Sequence, residues 1–84
     1  MAIVVNFPDA LHSTAGHSLT VTEPVSTVGE LIQALDRLRP GLARKLDDPI
    51  YNIALNDEIL LHGVDAHAVA DGDVVEVVPS IAGG

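Results

Sequence analysis

At 84 residues the chain falls below the usual length of one domain, which excludes a second domain and leaves a single compact unit able to bury about 63% of its surface. Hydrophobic residues make up 48% and charged ones 19%, with Tyr51 and Phe7 the only aromatics, so an aliphatic globular core is expected rather than disorder. Twelve acidic against four basic side chains give a net charge of −8, which argues against nucleic acid as a partner, and the lack of cysteine excludes disulfides, thiolate zinc sites and a catalytic thiol. Nothing points to an oxidising compartment, so a cytoplasmic location is expected. The start, Met1 to Phe7, lacks a basic region, and no apolar run approaches ~18 residues, so neither secretion nor membrane spanning is expected. All four basic residues, Arg37, Arg39, Arg44 and Lys45, share one stretch. The acidic remainder suits a basic partner protein, although solubility alone would account for it equally.

The β-branched run from Ala2 to Phe7, stopped by Pro8-Asp9, predicts an opening strand. After a loop holding His12, Ser13, Gly16 and His17, the alternation Leu19-Thr20-Val21-Thr22 predicts a second strand, paired with the first as a hairpin. Thr27 stands three residues before Glu30 as a capping box, and Val28, Leu31, Ile32, Leu35 and Leu38 follow at helical spacing. Pro40-Gly41 ends that helix, with Arg37 and Arg39 placed to favour the negative end of its dipole, a structural role that competes with any binding role for the basic cluster.

Gly41 to Leu46 is read as one more helical turn and Tyr51 to Leu55 as a strand, followed by a tight turn at Asn56-Asp57 and a short returning strand from Glu58 to Leu61. His62 to Val69 is a loop or a single helical turn. Asp71-Gly72-Asp73 is a turn, and Val74 to Val78 is a strand too apolar on both faces for an exposed edge, which places it centrally. The order predicts an α+β domain, a mixed sheet packed on one main helix, over residues 1–79, with residues 80–84 as a flexible tail.

That tail, Ser80-Ile81-Ala82-Gly83-Gly84, carries the functional signal. At a glycine frequency of ~7%, a terminal pair arises by chance in about 0.5% of sequences. Five extended residues reach at most about 17 Å, enough to carry a terminal carboxylate into another protein's active site. Lacking Cβ atoms, Gly83 and Gly84 can thread a narrow channel and leave the carboxyl carbon open to attack.

Over nearly its whole length the chain resembles the MoaD/ThiS ubiquitin-like sulfur carriers. The resemblance rests on Thr27-Val28-Gly29-Glu30-Leu31-Ile32, Leu55-Asn56-Asp57-Glu58, Ala70-Asp71-Gly72-Asp73 and Val78-Pro79-Ser80-Ile81-Ala82-Gly83-Gly84. It implies a β-grasp fold, and an activating enzyme that uses ATP to adenylate the Gly84 carboxylate, with Ser80, Ile81, Ala82 and Gly83 recognised along the tail. A sulfur donor then displaces AMP to leave a thiocarboxylate for a sulfur-accepting synthase. The chain is accordingly a co-substrate or a non-catalytic subunit, with no bound cofactor of its own. Molybdopterin-type small subunits often carry an aromatic residue and two prolines before the tail, and Val77-Val78-Pro79-Ser80 departs from that pattern. Thiamin carriers tend to be shorter, and the two Asp-containing turn motifs look more like the cysteine-pathway carriers.

Other constellations have simpler explanations. His12 and His17, and His62 and His67, stand five apart, neither the i, i+4 helical pair nor a zinc-finger spacing, so no metal site is expected. Asp47-Asp48 and Asp71-Gly72-Asp73 are too sparse for an EF-hand and suit turns. No phosphate loop or nucleophile motif appears. Two other function classes use the same sequence differently: a ubiquitin-like modifier joined through Gly84 to target lysines, and a plain interaction module.

Overall fold

The computed structural model describes residues 1–80. Strand β1 (Ile3–Asn6) leads through a 3-10 turn (Asp9–Leu11) and a short helix α1 (His12–Ala15) into β2 (Ser18–Val21). Helix α2 (Val28–Leu38) and the one-turn α3 (Leu42–Leu46) follow, then β3 (Tyr51–Leu55), β4 (Glu58–Leu60), a 3-10 turn (Val64–Ala66) and β5 (Val74–Pro79). The strands form one mixed sheet in the order β2-β1-β5-β3-β4. β5 is its centre, parallel to β1 and antiparallel to β3, as the strand's apolar character predicts.

The inner face of the sheet is set by the two-residue side-chain period. Ile3 and Val5 of β1, Val75 and Val77 of β5 and Ile53 of β3 are buried, and meet Val28, Leu31, Ala34 and Leu35 of α2. Full burial of one such aliphatic side chain contributes roughly 1.5–3 kcal/mol, so this contact between sheet and helix dominates the fold's stability. Leu38, expected on the same stripe, is 44% exposed, because the buried positions end one turn before the helix does.

The capping box forms with one change. Thr27 Oγ1 accepts the Glu30 N–H at 3.2 Å, while Glu30 Oε1 takes the Ser26 N–H, one residue upstream of the cap. The 63–69 segment is fastened to this helix start: the Val28 N–H donates to the His67 carbonyl at 2.9 Å and the Val69 N–H to the Ser26 carbonyl at 3.0 Å. Gly29 permits that approach, since a Cβ there would stand 3.1 Å from the Asp65 carbonyl oxygen. After α2 the chain turns at Gly41, whose φ is +97°, and Asp36 Oδ1 accepts the Gly41 and Ala43 N–H groups at 3.0 Å each, capping α3 from the preceding helix.

The stretch read as a loop around His12 and His17 contains helical turns instead. Leu11 and Ala15, four apart, are 2% and 1% exposed, so a single turn of helix buries both. The opposite face of the sheet carries no covering element among the described residues. Val4, Val74, Glu76, Val78, Asn52, Ala54 and Ile59 share it by register, and Val74 and Ile59 are 40% and 49% exposed.

Candidate functional site

The expected reactive tail leaves the end of β5. Pro79 pairs with Tyr51, and the backbone pairing continues one residue beyond the strand, where the Ser80 N–H donates to the Ile50 carbonyl at 2.5 Å. The acceptor is itself held in place: Asp48 Oδ1 takes the Ile50 N–H at 3.0 Å and the Asp48 carbonyl takes the Tyr51 N–H at 3.1 Å, an Asp-Pro turn that presents Ile50 beside the strand end. Ile50 is 54% exposed. Ser80 is thus anchored at the middle of the sheet, while the expected site residues Ile81, Ala82, Gly83 and Gly84 lie outside the described residues. The part played by Ile50 was not read from the sequence; Asp48-Pro49 signals a turn, but only the tertiary register sets it against Ser80.

The opposite end of β5 gathers the two turn motifs. Asn56 and Asp57 have φ of 48° and 72°, the left-handed pair of a tight hairpin turn that Asn and Asp tolerate. Asn56 reaches across to β5: its N–H donates to the Val74 carbonyl at 2.8 Å, its Oδ1 accepts the Val74 N–H at 2.9 Å, and its Nδ2 donates to Asp73 Oδ1 at 3.1 Å. Asp73 Oδ2 also accepts the Ala70 N–H at 2.7 Å. The Asn56 side chain first, and the Ala70 N–H second, hold the Asp73 carboxyl below its usual range. Asp71 Oδ1 takes the Ala2 N–H at 2.7 Å, and the Gly72 N–H donates to the Ala2 carbonyl at 2.9 Å. These residues tie β1, β3 and β5 together, so both motifs shape the domain at the end away from the tail.

The histidines do not assemble a site of this kind. His12 and His17 come together with ring centroids 4.1 Å apart, and His12 Nε2 lies 2.9 Å from the Phe7 carbonyl, a contact that fixes the connection between β1 and β2. His67 Nδ1 lies 3.1 Å from the Ala68 carbonyl, and among the described residues no three metal-ligating side chains stand together. Arg39 Nη1 donates to the Leu38 carbonyl at 2.9 Å at the helix end, the structural role expected of it, whereas Arg37 pairs with Glu23 upstream of the helix. Among the described residues no helix is long and apolar enough to cross a membrane.

A five-stranded mixed sheet packed on one helix, with its last strand central and leading directly into a carboxyl-terminal segment, defines a ubiquitin-like β-grasp domain. The ThiS family model matches residues 5–84. The sulfur carrier protein CysO of Mycobacterium tuberculosis is 33% identical over 93 aligned residues that cover all of both chains. Its crystal structure superposes with a TM-score of 0.80 at 31% identity, over 94% of this chain and 99% of that one. CysO in the BexX/CysO complex of Amycolatopsis orientalis gives a TM-score of 0.81 at 28% identity, over 99% and 100%. SAMP1 of Haloferax volcanii shares the fold, with a TM-score of 0.79 at 24% identity over all of both chains. The chain belongs to the ThiS family, and the resemblance to the MoaD/ThiS carriers stands. A protein of this class is a co-substrate or a subunit and not a catalyst.

Proposed function

We propose that the chain is a sulfur carrier whose Gly84 carboxylate is the reacting group. An ATP-dependent enzyme joins a carboxylate oxygen to the α-phosphate of ATP as pyrophosphate leaves. A sulfur donor at the oxidation level of hydrosulfide then attacks the acyl-adenylate carbon, AMP departs with the electron pair of the broken C–O bond, the S–H proton passes to solvent, and a thiocarboxylate remains for a sulfur-accepting synthase. The chemistry needs that order, because a carboxylate is a poor electrophile until adenylation supplies a leaving group.

The observation that carries this reading is the placement of Ser80. The first residue of the tail is held beside the end of the central strand, so four residues lead from a fixed point to the reacting carboxyl group. Covalent geometry limits them to about 14 Å, long enough to enter a partner's active site and short enough that the folded domain must dock for the carboxylate to arrive. Full-length likeness to a protein named as a sulfur carrier, CysO, supports the same reading and favours the cysteine-pathway branch.

Intact mass spectrometry tests it. Co-expressed with its activating enzyme and a sulfur source, the chain gains about 16 Da as sulfur replaces oxygen at the activated carbonyl. Higher-mass conjugates through Gly84 without that species would instead identify a protein modifier.

A further inference from the structure

Lys45 is the one lysine of the chain, and it is exposed on α3 with no carboxylate partner among the described residues. Three hydrogen bonds lead from it to the root of the tail. The Asp48 N–H donates to the Lys45 carbonyl at 3.3 Å, the Ile50 N–H to Asp48 Oδ1 at 3.0 Å, and the Ser80 N–H to the Ile50 carbonyl at 2.5 Å. Each step separates Cα atoms by roughly 6 Å, so Lys45 stands within about 18 Å of Ser80 even if the three steps lie in line. Asp48, Pro49 and Ile50 are exposed, so that path runs over the surface and not through the core. Four tail residues extend about 14 Å and a lysine side chain about 6 Å, together about 20 Å. The Gly84 carboxyl group can therefore meet Lys45 Nζ of its own chain.

The amine of Met1 is out of that range. β1 runs parallel to β5 with Val4 beside Val74, and the Ala2 carbonyl accepts the Gly72 N–H, so Met1 lies past the start of β5. The six residues of that strand, at about 3.3 Å each, set its start roughly 20 Å from Ser80. A tail of about 14 Å does not cover that distance.

We propose that Lys45 is an internal acceptor for the activated Gly84 carboxyl, which closes the tail onto α3 as an isopeptide ring when no sulfur donor intervenes. The activation step rests on the carrier reading; the reach of the tail does not. The free amine of Lys45 attacks the acyl-adenylate carbon, a C–N bond forms as AMP leaves with the electron pair of the broken C–O bond, and the surplus N–H proton passes to solvent. The product has lost one water relative to the free acid and keeps no terminal carboxylate to activate, so it is withdrawn from sulfur transfer. Tethering favours this closure over capture by a second molecule, because a short linker holds its two ends at an effective concentration on the order of millimolar.

Two measurements test the proposal, and the first needs no adenylation. A thioester at Gly84, made by intein cleavage of the full chain, activates that carboxyl without an enzyme, and the chain has no cysteine to compete for it. At mildly alkaline pH a monomer about 18 Da lighter than the free acid is expected, in a fraction unchanged by about tenfold dilution and absent from Lys45→Arg. Trypsin should then release residues 45–84 as one ring, since no lysine or arginine follows Lys45. Hydrolysis to the free acid alone, the same mass loss in Lys45→Arg, or linked dimers that fade on dilution overturn the proposal whether or not the chain carries sulfur. In the second measurement, the activating enzyme and ATP without a sulfur donor should give the same ring, and added hydrosulfide should replace it with a species about 16 Da heavier than the free acid. The heavier species with no ring under either condition overturns Lys45 as acceptor of the adenylate. Neither species, with the ring formed from the thioester, counts against the carrier reading alone.

Discussion

The two ends of β5 are built by different means. Its start is held by side chains: Asn56 makes two side-chain hydrogen bonds and one backbone bond across the gap, Asp73 gathers Asn56 and Ala70, and Asp71 receives the Ala2 N–H. Its finish is held, among the described residues, by main-chain pairing, through Pro79–Tyr51 and the Ser80 N–H on Ile50, with the Asp48 side chain fixing only the Ile50 acceptor. One strand thus has a locked end that specifies the domain and a lightly tethered end from which the proposed reactive tail departs. The separation means that substitutions at the two ends should move different observables.

The largest effect should come from the tail. Deleting Gly84, or adding one residue after it, should abolish pyrophosphate exchange while unfolding free energy changes by less than about 0.5 kcal/mol, since none of the buried core is touched. Undiminished exchange by the truncated chain would remove Gly84 from the reaction. Gly83→Ala comes next, because its methyl must follow the carboxylate through the same channel: exchange should fall about tenfold or more while the denaturation midpoint holds. Equal losses in both would mean that the tail end also specifies the fold.

At the other end the expectation inverts. Asn56→Ala removes two side-chain hydrogen bonds and places alanine at a φ of 48°, so urea denaturation should show a loss of about 1–2 kcal/mol with exchange unchanged. A drop in kcat would break the division between the ends. The smallest effect belongs to Asp73. Its folded pKa is lowered from 3.8, so its contribution is present above that value and is lost as pH falls through the lower folded pKa. Thermal unfolding below about pH 4 should therefore be less steeply pH-dependent in Asp73→Asn than in the parent, and identical slopes would show that the Asn56–Asp73 contact contributes nothing.

Much of this was legible in the sequence because the deciding interactions are local. Thr27 and Glu30 announce a helix start, Asn56-Asp57 a tight turn, and the run of valines a strand that belongs inside the sheet. What escaped depends on segments meeting in space. A four-residue helix is too short to show a period, so Leu11 and Ala15 revealed their shared burial only once folded. The spacing of His12 and His17 hides that Gly16, at φ +81°, brings their rings together. The Ser80–Ile50 contact joins residues thirty apart, and nothing near either residue signals the pairing. The tail is the reverse case: its reading rests on residue identity alone, and Ile81 to Gly84 lie outside the described residues.

The central position of β5 also has a bearing on synthesis. Synthesis runs from the amino to the carboxyl end, so β5 emerges after the other four strands, and until it does β1 and β3 each lack a neighbour on their inner edge. A nascent chain stopped before Val74 therefore displays two open strand edges and an uncovered apolar surface, the features that attract proteases and promote aggregation. A folded domain is therefore one whose synthesis has passed Pro79. The architecture thus ties folding to the completion of β5, since a chain cut short within that strand cannot close the sheet.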